Sequence, residues 1–396
     1  MAPTKPKSKA QKQKVKERLR AKNTAGAQIP TVNARELLAN ATALLEVGDP
    51  ENAARLARTA YQHIGDKGRQ AGAALSILGQ IHVELGEVDA ARKYFLEAVG
   101  VDEDGTLPED LGGGPEKFLW LAQLSEHGGQ DSVSWFERGA AALRSQIQTL
   151  SDTLEAQPLS RDQQEAVISE KKRKLADTLC AVAEVYMTDL SWEEDAEQRC
   201  EALITEATML SPEVPETWQT VANVRISQAR TEEACEALKR SLGIWTDLPP
   251  EDPNVPPFPT RVSLVRLLIE VGMEEKAIEV VERLISEDDR SVEVWYLGGF
   301  GRYSKGKKMK QGEVMDDDWQ AFWRSSRKWL SRCLKIFETE EYEDERLREH
   351  VQELLASIKE ELGDAPEEDD DEDEVWQDTD EDGDGDSDSD EDAEMQ

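Results

Sequence analysis

Val83-Glu84-Leu85-Gly86, with Ala91 five residues past the glycine, is one of three copies of a single phrase. The others are Leu45-Glu46-Val47-Gly48 with Ala53, and Ile269-Glu270-Val271-Gly272 with Ala277. In each copy the glycine is placed to end a helix, because glycine enters the left-handed region without steric cost. The alanine falls inside the next helix, and a glutamate stands two residues before the glycine. The spacing predicts a pair of antiparallel helices joined by a tight turn, used repeatedly along the chain.

Around these anchors stand Leu75, Leu78-Gly79, Phe95 and Ala98 in one copy, and Trp218, Val221-Ala222, Ala234, Leu238 and Ser241 in another. Small residues recur where two helices must approach, and large ones fill the space beside them. The pattern resembles the tetratricopeptide repeat (TPR), whose period is about 34 residues. Weaker copies are placed at Trp120 to Gly139, Val182 to Pro212 and Trp295 to Cys333. The expected fold class is all-α: a right-handed α-solenoid of about seven TPR-like hairpins with a C-terminal capping helix and disordered ends. The predicted boundaries are a basic segment at 1–28, the solenoid at 29–340, the capping helix at 341–363 and an acidic tail at 364–396.

Of the 396 residues, 33% are charged and 6% aromatic, a balance that suits a core built from many thin layers. No run reaches the roughly 18 to 20 apolar residues of a membrane span, and the first residues lack an apolar signal-peptide core. The expected location is cytoplasm and nucleus. Cys180, Cys200, Cys235 and Cys333 stand alone, as suits reduced thiols packed between helices.

Charge is distributed unevenly. The net charge is −37, of which residues 364–396 carry −20 with no lysine or arginine; residues 1–24 carry +8, which leaves −25 on the body between. Like-charged ends poor in apolar residues cannot bury enough surface to offset their chain entropy. An acidic body with an acidic tail repels nucleic acid and anionic membrane and attracts basic polypeptides. The expected partner is therefore a strongly basic protein.

In a TPR array the first helix of each hairpin lines the concave face. Counted from the glycine at position 15, position 13 is Glu46, Glu84 and Glu270. The same count puts Glu184 at position 9 of the fourth repeat, and Glu216 and Asn223 at positions 2 and 9 of the fifth. These six residues are the candidate groove, set among apolar Val83, Met187, Ile226 and Ile269, and suited to a peptide bearing arginine or lysine. The plainer alternative is a set of helix-end glutamates facing water. A clamp for a C-terminal carboxylate would need several bases there, whereas only Arg35 and Arg266 qualify.

Other patterns carry no chemistry. Asp378, Asp380, Asp382 and Gly383 begin a calcium loop, but Ser389 stands where a bidentate glutamate is required. Gly112-Gly113-Gly114 lacks the lysine and hydroxyl ending of a phosphate loop. His63, His82, His127 and His350 are scattered singly, so no metal, cofactor or enzymatic activity is expected. Among basic runs, Lys5, Lys7, Lys9, Lys12 and Lys14 form the candidate import signal. Lys171 to Lys174 reads as a solvated helix face. Arg302 to Lys310, with Arg324, Arg327 and Lys328, reads as a patch able to dock the chain's own tail.

The whole layout, from lysine-rich start through seven repeats to Asp369-Asp370-Asp371-Glu372-Asp373-Glu374 and beyond, resembles the fungal dedicated assembly chaperones of large-subunit ribosomal protein four. That resemblance implies a concave face that holds the long basic loop of a newly made ribosomal protein and delivers it to nuclear pre-ribosomes, with an import receptor and the pre-ribosome as further partners; a solenoid closed by a polar last helix suits a monomer. Two other readings stay open: a histone or general basic-protein chaperone working through its tail, and a TPR scaffold in an RNA-processing complex.

Overall fold

A computed structural model describes residues 33–364, apart from 67, 69, 153–160 and 313–317. The candidate import lysines at 5–14 and the acidic run 369–374 lie outside the described residues. Within them run fifteen α-helices and one 3-10 turn, with no strand. They form seven hairpins: α1 (Ala34–Glu46) with α2 (Pro50–Ile64), α3 (Ala71–Glu84) with α4 (Val88–Val101), α5 (Glu116–Gln123) with α6 (Gly129–Asp152), and α7 (Arg161–Met187) with α8 (Ala196–Leu210). There follow α9 (Pro215–Ser227) with α10 (Thr231–Trp245), α11 (Phe258–Glu270) with α12 (Glu274–Glu287), and α13 (Val292–Lys310) with α14 (Trp319–Thr339). The fifteenth helix, α15 (Glu345–Leu362), stands alone at the end.

The quoted phrase builds the turn it predicts. Gly48, Gly86 and Gly272 have φ of 76°, 73° and 80°. Around Gly86, its own amide donates to Val83 O at 3.0 Å and the Glu87 amide to His82 O at 2.9 Å, closing the last orphan carbonyls of α3. The same pair of bonds recurs at Gly48 and Gly272. Hairpin five makes them too, yet there the left-handed residue is Ala229, at φ 57°. This turn carries steric cost that glycine avoids, and it is why the phrase cannot be found in that repeat.

Hairpins two, three and seven are each closed by a small residue facing a large one. Gly79 of α3 lies against Phe95 of α4, so close that a Cβ at 79 would sit 2.6 Å from the ring. Phe95 is fully buried and has no room to retreat. Gly139 meets Leu119, and Gly299 meets Leu330, in the same way. Ala53, Ala91 and Ala277 are buried at the equivalent second-helix position. From hairpin three onward one apolar core runs to the cap, where Val351, Leu354 and Ile358 of α15 close it. Tyr296 and Tyr303 of α13 bond His350 and Ser357 of α15 at 2.9 and 3.0 Å.

Between hairpins two and three the period breaks. Residues 102–115 form a loop pinned by a buried ion pair, Asp102 Oδ2 to Lys117 Nζ at 2.7 Å, with both side chains sealed from water. The other Asp102 oxygen accepts from the Thr106 and Leu107 amides. Desolvation holds the Lys117 pKa below its ordinary value. The glycine run serves packing: a Cβ at Gly113 would overlap Leu107 O, and one at Gly112 would overlap the backbone of Ala73. Glu109 in this loop accepts from Lys171 at 2.6 Å, bridging hairpins two and four across the short α5.

The basic run at 171–174 therefore differs from the solvated face expected of it. Lys171 is held by Glu109 and Gln146, and Lys174 pairs with Glu116. Helices α6 and α7, at 24 and 27 residues, outrun the TPR length, and Lys171 and Lys174 meet neighbouring elements while Arg173 keeps the exposed setting expected of it.

Two stability outcomes follow from this packing. Gly79→Ala should destabilise the chain by about 1 to 3 kcal/mol, the usual cost of overpacking, and Phe95→Leu in the same chain should recover part of it in chemical denaturation. Asp102→Ala should cost about 3 to 5 kcal/mol by stranding Lys117 in an apolar setting; the double variant with Lys117→Met should lose much less.

Candidate binding trough

First helices of successive hairpins touch one another in two runs, α1 with α3, and α7 through α9 and α11 to α13, and these runs make up the wall. Their buried sides face the second helices, and one stripe on each stays uncovered. On α11 the stripe is Pro259, Ser263, Arg266 and Glu270, and on α7 it is Asp177, Ala181, Glu184 and Thr188. This three-and-four spacing is a single helical face.

All six residues assigned to the groove from sequence fall on this wall. Glu46, Glu84 and Glu270 are the last residues of α1, α3 and α11, and each is exposed. A carboxylate at a helix C-terminus opposes the macrodipole at about 0.3 to 1 kcal/mol, so folding alone does not select three of them. Glu184 is exposed on α7, Glu216 is half-buried near the start of α9, and Asn223 is exposed two turns on. Apolar Val83, Met187, Ile226 and Ile269 are half-buried between them and pack on the core.

The structure adds a seventh member, Asp177, two turns before Glu184 on α7. Crowding by surrounding protein pushes its carboxyl pKa up; Glu216, across on α9, pushes the same way, while Arg173 opposes. Glu184 keeps its access to water along the trough, yet desolvation by the neighbouring repeats raises its pKa as well. Glu216 Oε2 is buried with no hydrogen-bond partner among the described residues. Asp177 and Glu184 thus hold charge that surrounding protein partly desolvates although their side chains reach water, and Glu216 adds a buried carboxylate oxygen without a partner. Such an arrangement gains most from an incoming guanidinium or ammonium group. Asp177 stands seven residues before Glu184, the same spacing as Glu216 to Asn223, so the repeat count that reaches Glu184 reaches Asp177 as well.

Toward the C-terminal end the wall changes character. A cavity of about 710 Å³ opens between α11 and α13, floored by Ile269, Tyr296 and Phe300 and edged by Arg266, Glu270, Lys307 and Lys308. The Tyr296 and Phe300 rings are parallel, 6.0 Å between centroids, and His350 meets both edge-on. The patch at 302–310 is more internally committed than its sequence implied. Arg302 is buried on Glu282 and the Trp329 ring, Lys305 pairs with Glu275, Lys308 with Glu274 and Lys310 with Glu361. Lys307 has no ion-pair partner among the described residues.

The thiols are structural in setting. Cys180, Cys200 and Cys333 are buried and Cys235 half-buried, all unpaired; burial pushes Cys180 and Cys333 up to about 12. Among the described residues no helix is long and apolar enough to cross a membrane.

The tetratricopeptide repeat model matches residues 73–104, which are hairpin two and its surroundings. A chain from Emericella nidulans described as "Probable assembly chaperone of rpl4" is 43% identical over 372 residues, covering 92% of this chain and 91% of its own. A Schizosaccharomyces pombe chain of the same description is 32% identical over 289 residues, 72% of this chain and 80% of its own. The solved structure of residues 1–338 of an assembly chaperone of RpL4 (Acl4) is 74% identical, superposes with a TM-score of 0.68, and covers 72% of this chain and all of that one. With relatives at this identity aligned across nearly its full length, the chain belongs to the family of rpl4 assembly chaperones.

Proposed function

We propose that this chain is a dedicated chaperone that holds the large-subunit ribosomal protein rpl4 before its assembly, by laying a basic segment of that client along the first-helix wall. Family membership supports the client, and the crowded carboxylates Asp177, Glu184 and Glu216 support the mode. A ribosomal protein outside the ribosome has arginine and lysine side chains with no RNA phosphate to meet. Carboxylates on a rigid wall replace those phosphates, and the half-buried apolar residues between them cover the client's aliphatic stems. The role is binding without chemistry. Ribosomal RNA then releases the client by competing for the same cations, helped by counterion release. Transit from cytoplasm to nucleus as a monomer, with the basic N-terminal segment recruiting an import receptor and the pre-ribosome receiving the client, completes the proposal.

A tail-driven polyanion shield would behave differently, and the wall-bound mode is tested against it directly. Glu184→Lys, Glu216→Lys and Glu270→Lys should each weaken rpl4 capture roughly tenfold, about 1.4 kcal/mol, with helicity and monomer mass unchanged, while removal of residues 365–396 should leave most of the affinity. Binding lost with the tail but indifferent to the wall substitutions would assign the function to the tail.

The raised carboxyls also predict opposite effects on stability and affinity. A carboxyl whose folded pKa lies above its unfolded value costs stability at neutral pH and returns it as pH falls through the folded pKa. Glu184→Gln should therefore raise the melting temperature of the free chain at pH 7, with the gain closing as pH drops through the carboxylate range. The same change should weaken client binding. A variant less stable than the parent at pH 7 would contradict this assignment of strain to the trough.

A further inference from the structure

We propose that the cavity between α11 and α13 is the docking site of the chain's own C-terminal segment, with Val375-Trp376 as the apolar anchor and the acidic runs on either side as its electrostatic partners. The cavity's edge carries more base than acid, Arg266, Lys307 and Lys308 against Glu270 and Glu274, and its floor is aromatic and aliphatic. A basic segment finds its complement in the middle of the wall, whereas this end calls for an apolar side chain flanked by carboxylates.

The chain itself contains such a segment. In residues 365–396 there are nineteen acidic residues and no base, and Val375-Trp376 is the one aromatic-apolar pair, preceded by Asp369 to Glu374 and followed by Asp378, Asp380, Glu381 and Asp382. An indole is well matched to a floor of parallel Tyr296 and Phe300 rings. The acidic flanks then meet Lys307, and they add to the pairings that Arg266 and Lys308 already make with Glu293 and Glu274.

Reach is available. Glu361, near the end of α15, pairs with Lys310, which lies within one helical turn of Lys307 and Lys308 on α13. The chain therefore leaves the fold beside the cavity. Trp376 is twelve residues beyond Asp364, a span of up to about 40 Å at roughly 3.3 to 3.6 Å per residue. The site is local to the exit point, so its effective concentration is high. Docking does not depend on the client's identity. A further step, that an entering client meets or displaces this segment, does rest on the wall being the client site.

Zero-length carbodiimide cross-linking of the full, client-free chain, read by mass spectrometry, tests the docking. It should join Lys307 or Lys308 to carboxylates at 369–382 within single chains, and Val375→Ala/Trp376→Ala should cut the yield at least tenfold. These two positions lie outside the helices described, so helicity and melting temperature serve as the folding control. Lys307→Glu should reduce the cross-links at Lys308 as well. Cross-links that survive the Val375/Trp376 change would overturn the anchor and leave charge alone. Cross-links joining two chains, or none to 369–382, would overturn intramolecular docking altogether. Because no client is present, failure here leaves the wall-binding reading untouched, and failure of rpl4 capture leaves this one untouched.

Discussion

One backbone constraint underlies the regular hairpins: in hairpins one, two, five, six and seven the chain turns left-handed two residues past the end of the first helix, so that the next helix runs back along the first. Where glycine takes that position, as at Gly48, Gly86 and Gly272, the turn closes with the same two hydrogen bonds each time. The return path is then fixed, and it brings Gly79 against Phe95 at a separation that excludes even a methyl group. Close approach within hairpins lets hairpins stack, and stacking aligns the first helices into a wall. The trough is thus a consequence of turns placed far from its carboxylates.

The wall's electrostatics carry a cost that the free chain bears. Asp177 and Glu184 sit where protein displaces part of their hydration and pushes their carboxyl pKa values up, and Glu216 beside them has a buried oxygen with no hydrogen-bond partner among the described residues. Most ion pairs elsewhere, such as Lys239 with Glu236 or Arg290 with Glu340, meet an internal partner at the surface and contribute little. The middle of the trough is different because the folded chain offers those carboxylates too few donors of its own. A binding surface that must accept a basic polypeptide and later give it up is served by charge that is unsatisfied rather than charge that is locked.

Much of the fold was legible because it rests on local chemistry. Glycine, the alanine five residues on, and the large residue facing a small one are all encoded within some 20 positions. Seven hairpins and a final lone helix follow from counting them. What escaped the count were departures from period: Ala229 in the left-handed position, the lengthened α6 and α7, and the loop at 102–115. Each is held by contacts distant in sequence, including Lys117 on Asp102 and Lys171 on Glu109. Asp177 lay within reach of the count, seven residues before Glu184. Glu46, Glu84 and Glu270 were found because their position is tied to the glycine. The bases at 302–310 look freer in sequence than they are in the fold, because composition shows charge but not the partners, Glu275, Glu274 and Glu361 among them, that meet it.

The change of sign along the wall gives the chain an internal polarity. Carboxylates dominate its middle, while Arg266, Lys307 and Lys308 edge the end nearest the cap. A uniformly acidic trough would hold a basic segment in many registers with similar energy, since charge alone is forgiving of displacement. A cationic boundary at one end removes the registers in which client cations would overrun it, because like-charge juxtaposition opposes them. The same boundary is where the oppositely charged C-terminal segment leaves the fold. Register and self-occupancy are therefore two outcomes of one arrangement of charge, set by which first helix ends in a glutamate and which carries lysines in its last turn.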